Sequence, residues 1–123
     1  IREPLCGVTS NVPVPIDTSI ALNSPEQAVS GLIAVMAVSD DAWGTPLGLN
    51  LPGMRLRVSE MIEALERVGG PDALDLLTYD LDPLVQQIVA GWPSRFDSER
   101  ASRLGLETCE SFEAVVQRFQ SAT

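Results

Sequence analysis

Residues 91–107, GWPSRFDSERASRLGLE, carry the reading from which the rest of the chain is built outward. Proline restricts the residue before it to extended backbone, so Trp92-Pro93 forces a turn. Asp97 then stands where a short side-chain acceptor caps a helix, which is predicted to run through Arg103. Gly105 suits the left-handed position that closes such a helix. A turn, a capped short helix and a glycine stop within one stretch describe a compact helical lobe rather than a strand-rich one.

Downstream, a last helix over 110–121 is expected to bury Phe112, Val115, Val116 and Phe119. Upstream, Asp82-Pro83 combines a cap with a proline at the first helical position and starts a helix to about residue 90. Residues 76–79 read as a short strand. A helix over 59–68 carries Met61, Ile62, Leu65 and Val68 on one face and Glu60, Glu63 and Glu66 on the other, and Gly69-Gly70-Pro71 stops it. Strands are expected over 47–51 and 54–58 around Pro52-Gly53. Ser24-Pro25-Glu26-Gln27 is a strong helix start for 25–38, whose Val29, Leu32, Ile33 and Met36 form a stripe expected to be buried. Residues 18–22 can form a strand. Before them, Pro4, Gly7, Pro13 and Pro15 make 1–17 an extended connector, after a short helical end at 1–5. The fold class is α+β: one mainly helical domain over 1–123 with a few short strands and no sheet large enough to stand alone.

With 45% hydrophobic residues the chain is not disordered. Its longest apolar run, GLIAVMAV at 31–38, is far short of the ~20 residues that cross a bilayer, so no membrane partner is expected. The opening residues lack the features of a signal peptide, and a cytoplasmic location is expected. A chain that opens on Ile1 rather than Met is expected to be a piece of a longer or processed protein. Cys6 and Cys109 have no metal-type spacing and no His to complete a set; both are expected to be free, structural thiols, with no metal. The net charge of −9, from 8 arginines against 17 scattered acidic residues, excludes the concentrated basic face that nucleic acid requires.

The absences are as informative. The chain has no Lys, no His and a single tyrosine, Tyr79. Without His there is no Ser-His or Cys-His nucleophile pair. Gly44, Gly48 and Gly53 are too dispersed, and too interrupted by Pro46 and Pro52, for a dinucleotide loop. The acidic pairs Asp40-Asp41 and Asp80/Asp82 lie in polar loops or caps.

Several segments taken together resemble a known family: Ser24 to Val29; Leu51-Pro52-Gly53 leading into 58–65, VSEMIEAL; Asp82-Pro83; Ile88-Val89; Trp92-Pro93; Phe96-Asp97; Arg100-Ala101; Leu104-Gly105; and Ser111-Phe112. They are similar to the C-terminal, substrate-binding part of the extended short-chain dehydrogenases, the NAD-dependent epimerase/dehydratase family. The opening Ile1 to Leu5 resembles that group too. The resemblance implies an oxidoreductase that acts on a small hydroxy acid such as a sugar acid, with NAD or NADP as cofactor of the whole enzyme. In that family the cofactor and a Tyr-x-x-x-Lys pair belong to a preceding Rossmann lobe. Here the residue four after Tyr79 is Pro83, so no member of the catalytic set is expected in this chain. It is expected to bind no cofactor and to be inactive alone. One departure is Arg57, where the family usually has a Ser or Thr cap.

The resemblance implies three substrate-binding candidates. Arg2 stands near the start, and a guanidinium recognises a carboxylate in a two-pronged way; a surface or interlobe salt bridge is its alternative role. Asn23 sits where the family chain returns toward the active site, or is simply a polar loop residue. Trp92 is placed to close the pocket over the reacting carbon, or to be a core or interlobe aromatic, and is expected to be largely buried. Arg95, Arg100 and Arg103 are expected on exposed helix faces or paired with carboxylates. The implied partners are the chain's own Rossmann lobe and the hydroxy-acid substrate, in an enzyme that dimerises with itself through that other lobe. Two alternatives remain: the corresponding lobe of a nucleotide-sugar epimerase or dehydratase, and a non-catalytic helical interaction module.

Overall fold

The computed structural model describes residues 1–45, 48–106 and 110–122. Pro46, the first residue of the strand expected at 47–51, and the thiol of Cys109 lie outside them. Seven helices and four short strands follow one another among the described residues.

The element on which the others pack is α4 (Val58–Leu74), against which α1 (Arg2–Leu5), β3 (Met54–Arg57) and α7 (Phe112–Ser121) are laid. Its apolar stripe converges on Ala64, Leu65 and Ala73, which are buried together with Val116 of α7. Gly70, at φ 73°, breaks the helix where the glycine pair was expected to stop it, and Pro71 restarts it as far as Leu74. Gly69 is small for a packing reason: a Cβ there would stand 2.9 Å from Leu5 Cδ2 and 2.7 Å from the Ala73 Cβ. At the start of α4 the cap is half made. The Arg57 backbone N–H donates to Glu60 Oε2 at 2.7 Å, while a guanidinium has nothing with which to accept from the helix in return.

The strands form two ladders. β2 (Ser19–Leu22) pairs antiparallel with β3, Ala21 standing opposite Arg55. β1 (Ser10–Asn11) pairs parallel with β4 (Leu77–Thr78), so the stretch read as a plain connector supplies a strand. Asn11 fastens that ladder: its Oδ1 accepts from the Asp80 N–H at 2.8 Å and from Thr78 Oγ1, and its Nδ2 donates to the Asp80 carbonyl. Residues 48–51 are not a strand; no neighbouring strand completes them.

Helix α2 (Pro25–Met36) starts as predicted. Ser24 accepts from the Gln27 N–H at 3.1 Å and Pro25 occupies the first turn. Its packing differs from expectation. The small face, with Gly31 close against Leu51, lies on the lobe, while Val29, Leu32, Ile33 and Met36 are 56, 61, 64 and 86% exposed. Periodicity identifies an apolar stripe, but does not say which chain covers it. Asp40 and Asp41 do not simply end this helix, since Ser39 caps a further short turn, α3 (Asp40–Trp43). Next, α5 (Pro83–Ala90) is capped by Asp82, and α6 (Glu99–Arg103) is closed by Gly105 at φ 79°. Cys6 is a free thiol, exposed rather than built into the core.

Candidate functional site

The groove begins at β2. Its two edges are used differently: Ala21 sits opposite Arg55 of β3, while the Ala21 N–H points away from β3 and donates to the Pro93 carbonyl at 3.3 Å. An antiparallel pair whose N–H groups point outward is the narrow kind, with side chains close together. Alanine opposite arginine therefore leaves room beside the guanidinium. Arg55 alternates outward along β3 while Met54 and Leu56 turn inward. The bond to Pro93 holds the Trp92-Pro93 turn alongside the ladder, and the chain continuing from it brings Arg95 to the same place.

The result is a groove of about 850 Å³ lined by Ala21, Gly53, Arg55 and Arg95, with Asp97 and Glu99 in the same lining. The two acidic groups are already engaged. Asp97 Oδ1 accepts from the Glu99 N–H at 3.0 Å, and Glu99 pairs with Arg103 at 3.4 Å. Arg55 and Arg95 have no ion-pair partner among the described residues. Arg100 is different: it donates to the Gly48 and Trp43 carbonyls and lies over the Trp43 ring, so it fastens Trp43 and Gly48 to α6.

The three candidates from the sequence are not gathered in one place. Asn23 abuts the groove wall, its amide 3.7 Å from where a Cβ on Gly53 would stand. Its Oδ1 is buried without a hydrogen-bond partner among the described residues, a capacity that a neighbouring donor would satisfy. Trp92 is held beside β2 by its turn, but it is 56% exposed and not buried against the helices of this lobe. The local turn was legible in the sequence; the expected burial is not found. Arg2 lies elsewhere, over the ring of Phe119 at 5.7 Å. Sequence reasoning passed over Arg55, although its outward position opposite a small residue was the available signal. Arg95 was expected on a helix face or paired with a carboxylate; it lies instead in the irregular stretch before α6, with no ion-pair partner among the described residues.

Among the described residues no positive-φ glycine stands between a strand and a helix start. The positive-φ glycines Gly7, Gly44, Gly70 and Gly105 each follow or break a helix, whereas a pyrophosphate loop needs glycines between a strand and a helix start. Among the described residues no three His, Cys, Asp or Glu side chains are grouped to hold a metal ion, and no helix is long and apolar enough to cross a membrane.

This arrangement of helices around two minimal ladders is the fold of one lobe of the extended short-chain dehydrogenases and epimerases, and it fits their C-terminal part. The proteins to which the chain is similar are D-erythronate dehydrogenases: that of Cupriavidus necator is 38% identical over 119 residues and that of Haemophilus influenzae 33% identical over 122. Each alignment takes in 97% of this chain, but the chain spans only 37 and 38% of the length of those relatives. Among solved structures, a nucleoside-diphosphate-sugar epimerase from Agrobacterium tumefaciens superposes with a TM-score of 0.87 at 33% identity, over 94% of this chain and 34% of its own. An L-threonine dehydrogenase from Cupriavidus necator, in its holo form, shares the fold with a TM-score of 0.82 at 16% identity, over 97% of this chain and 38% of its own. No protein-family model matches the chain.

Proposed function

We propose that this chain is the substrate-side lobe of an NAD- or NADP-dependent dehydrogenase that oxidises a small hydroxy acid, a sugar acid of the erythronate kind. The observation that carries this reading is the 38% identity to a D-erythronate dehydrogenase across 97% of the chain. The cofactor and the proton-transferring pair belong to a separate nucleotide-binding lobe, and the assembled enzyme works as a cytoplasmic homodimer. This lobe binds and orients the acid and excludes water from it; Asn23 and Trp92 face the substrate on the groove side and Arg2 stands toward the other lobe.

Two physical features support a partner lobe. The two-residue parallel ladder of β1 and β4 is far below the size of a self-sufficient sheet, and parallel strands are found almost always with both faces covered. Large apolar side chains are also exposed on α2, on α5 through Leu84 and Ile88, and at Tyr79, Leu81 and Trp92. The test is to assay the whole protein and the 123-residue chain side by side for nicotinamide reduction with D-erythronate. Turnover by the whole protein and none by the chain is the expected result; turnover by the purified chain alone overturns the division of labour. A second reading, a nucleotide-sugar epimerase, is favoured by the 33% identity to the Agrobacterium protein. Interconversion of a nucleotide sugar with no net nicotinamide reduction would select it.

A further inference from the structure

We infer that Arg55 and Arg95 together form an oxyanion-binding fork, and that the group they take is the carboxylate of the hydroxy-acid substrate. The second half of this inference rests on the proposed function; the first half does not.

A guanidinium on a protein surface usually finds a carboxylate, and Arg57, Arg67, Arg103 and Arg118 of this strongly acidic chain each do so. Arg100 is spent on carbonyls and Arg2 on a ring. Arg55 and Arg95 come from positions 40 residues apart and line one groove, where the carboxylates of Asp97 and Glu99 are held by a helix start and by Arg103. Two guanidiniums in one groove attract an anion, and the Asp97 and Glu99 carboxylates of the same lining form no ion pair with either of them among the described residues. The backbone brings both to the groove: β3 register sends Arg55 outward beside Ala21, and the Ala21 N–H fixes the turn that carries Arg95. Planar forks of N–H donors suit a carboxylate or a phosphate, in which two oxygens lie at matching spacing. The groove's volume of about 850 Å³ admits a small acid with space left for the remainder of its carbon chain.

The experiment uses the whole protein. Inorganic phosphate is titrated while the arginine Nε–Hε resonances are followed by NMR, in the wild type and in R55Q, R95Q and R2Q; the steady-state KM for D-erythronate and for its uncharged carboxamide is measured in parallel. Circular dichroism establishes that each variant is folded. Losing one fork of a charge-assisted pair is expected to weaken phosphate binding, and to raise the KM for erythronate, by about tenfold in R55Q and in R95Q. R55K and R95K, which keep the charge without the fork, are expected to fall between. The carboxamide keeps a carbonyl acceptor but carries no charge, so its KM is expected to rise less in R55Q and R95Q than the KM for erythronate does. Phosphate that moves neither resonance, or weakens only in R2Q, overturns the anion site. Phosphate binding lost in R55Q and R95Q with an unchanged erythronate KM keeps the anion site and overturns its assignment to the substrate carboxylate. A wild type that oxidises no hydroxy acid overturns the proposed function alone, since the phosphate titration decides the fork independently.

Discussion

Ser24 joins two functions in one buried hydroxyl. It accepts from the Gln27 N–H to cap α2 and donates to Glu110 Oε2 at 2.7 Å, while Glu110 is also paired with Arg118. Replacing it with Ala removes the cap and leaves a carboxylate oxygen short of a donor inside the lobe. The expected cost is about 2 kcal/mol, measured by urea denaturation, because cap loss contributes about 1 kcal/mol and the unsatisfied acceptor a similar amount. Trp92 behaves oppositely. Half-exposed as it is, W92A in the 123-residue chain is expected to cost less than about 1 kcal/mol, far below the 3–5 kcal/mol of a core aromatic. The same change in the whole protein is expected to cost more, and the difference between the two measurements reports what covers the ring.

At the scale of elements, the decisive contact is that of α1 with α4. Gly69 lets the two approach until Leu5 lies over the helix, and a methyl group there would fall within 3 Å of both Leu5 and Ala73. G69A is therefore expected to destabilise the fold by about 1–3 kcal/mol despite alanine's better helix propensity, a sign opposite to that of an exposed Gly→Ala change. Chemical denaturation decides between the two signs. Arg100 has a comparable role between α3 and α6: R100A removes two hydrogen bonds to carbonyls and the stacking on Trp43. Protease cleavage between residues 43 and 50 is expected to speed up severalfold in that variant, with the global unfolding midpoint changed less.

For the molecule as a whole, the apolar outer face of α2 governs behaviour in solution. An exposed row of Val29, Leu32, Ile33 and Met36 on a chain of net charge −9 is expected to bind a hydrophobic dye and to promote self-association of the 123-residue chain. The double change L32Q/M36Q should reduce dye fluorescence and self-association in the 123-residue chain without loss of helical signal. On the proposed function, the same change in the whole protein should lower its stability, as the loss of a covered apolar row does; unchanged dye binding would assign the dye site to another face.

What the sequence determined by itself is what short-range chemistry can encode. Ser24-Pro25, Asp82-Pro83 and Gly105 each act within a few residues, and the starts of α2 and α5 and the end of α6 follow from them. The helical character and the resemblance to dehydrogenases were legible for the same reason, being properties of local composition and motif. Other features required distant residues to meet. β1 became a strand only because residues 77–78 lie beside it, and residues 48–51 stayed irregular because no strand does. The α2 stripe and Trp92 were read correctly as apolar but not as exposed, since burial depends on the partner surface and not on the periodicity. The pairing of Arg55 with Arg95 is of this kind as well: separated by 40 residues, they share a groove through one strand register and one hydrogen bond from Ala21. Only the tertiary structure decides such a meeting, because nothing in the stretch around either arginine specifies the other.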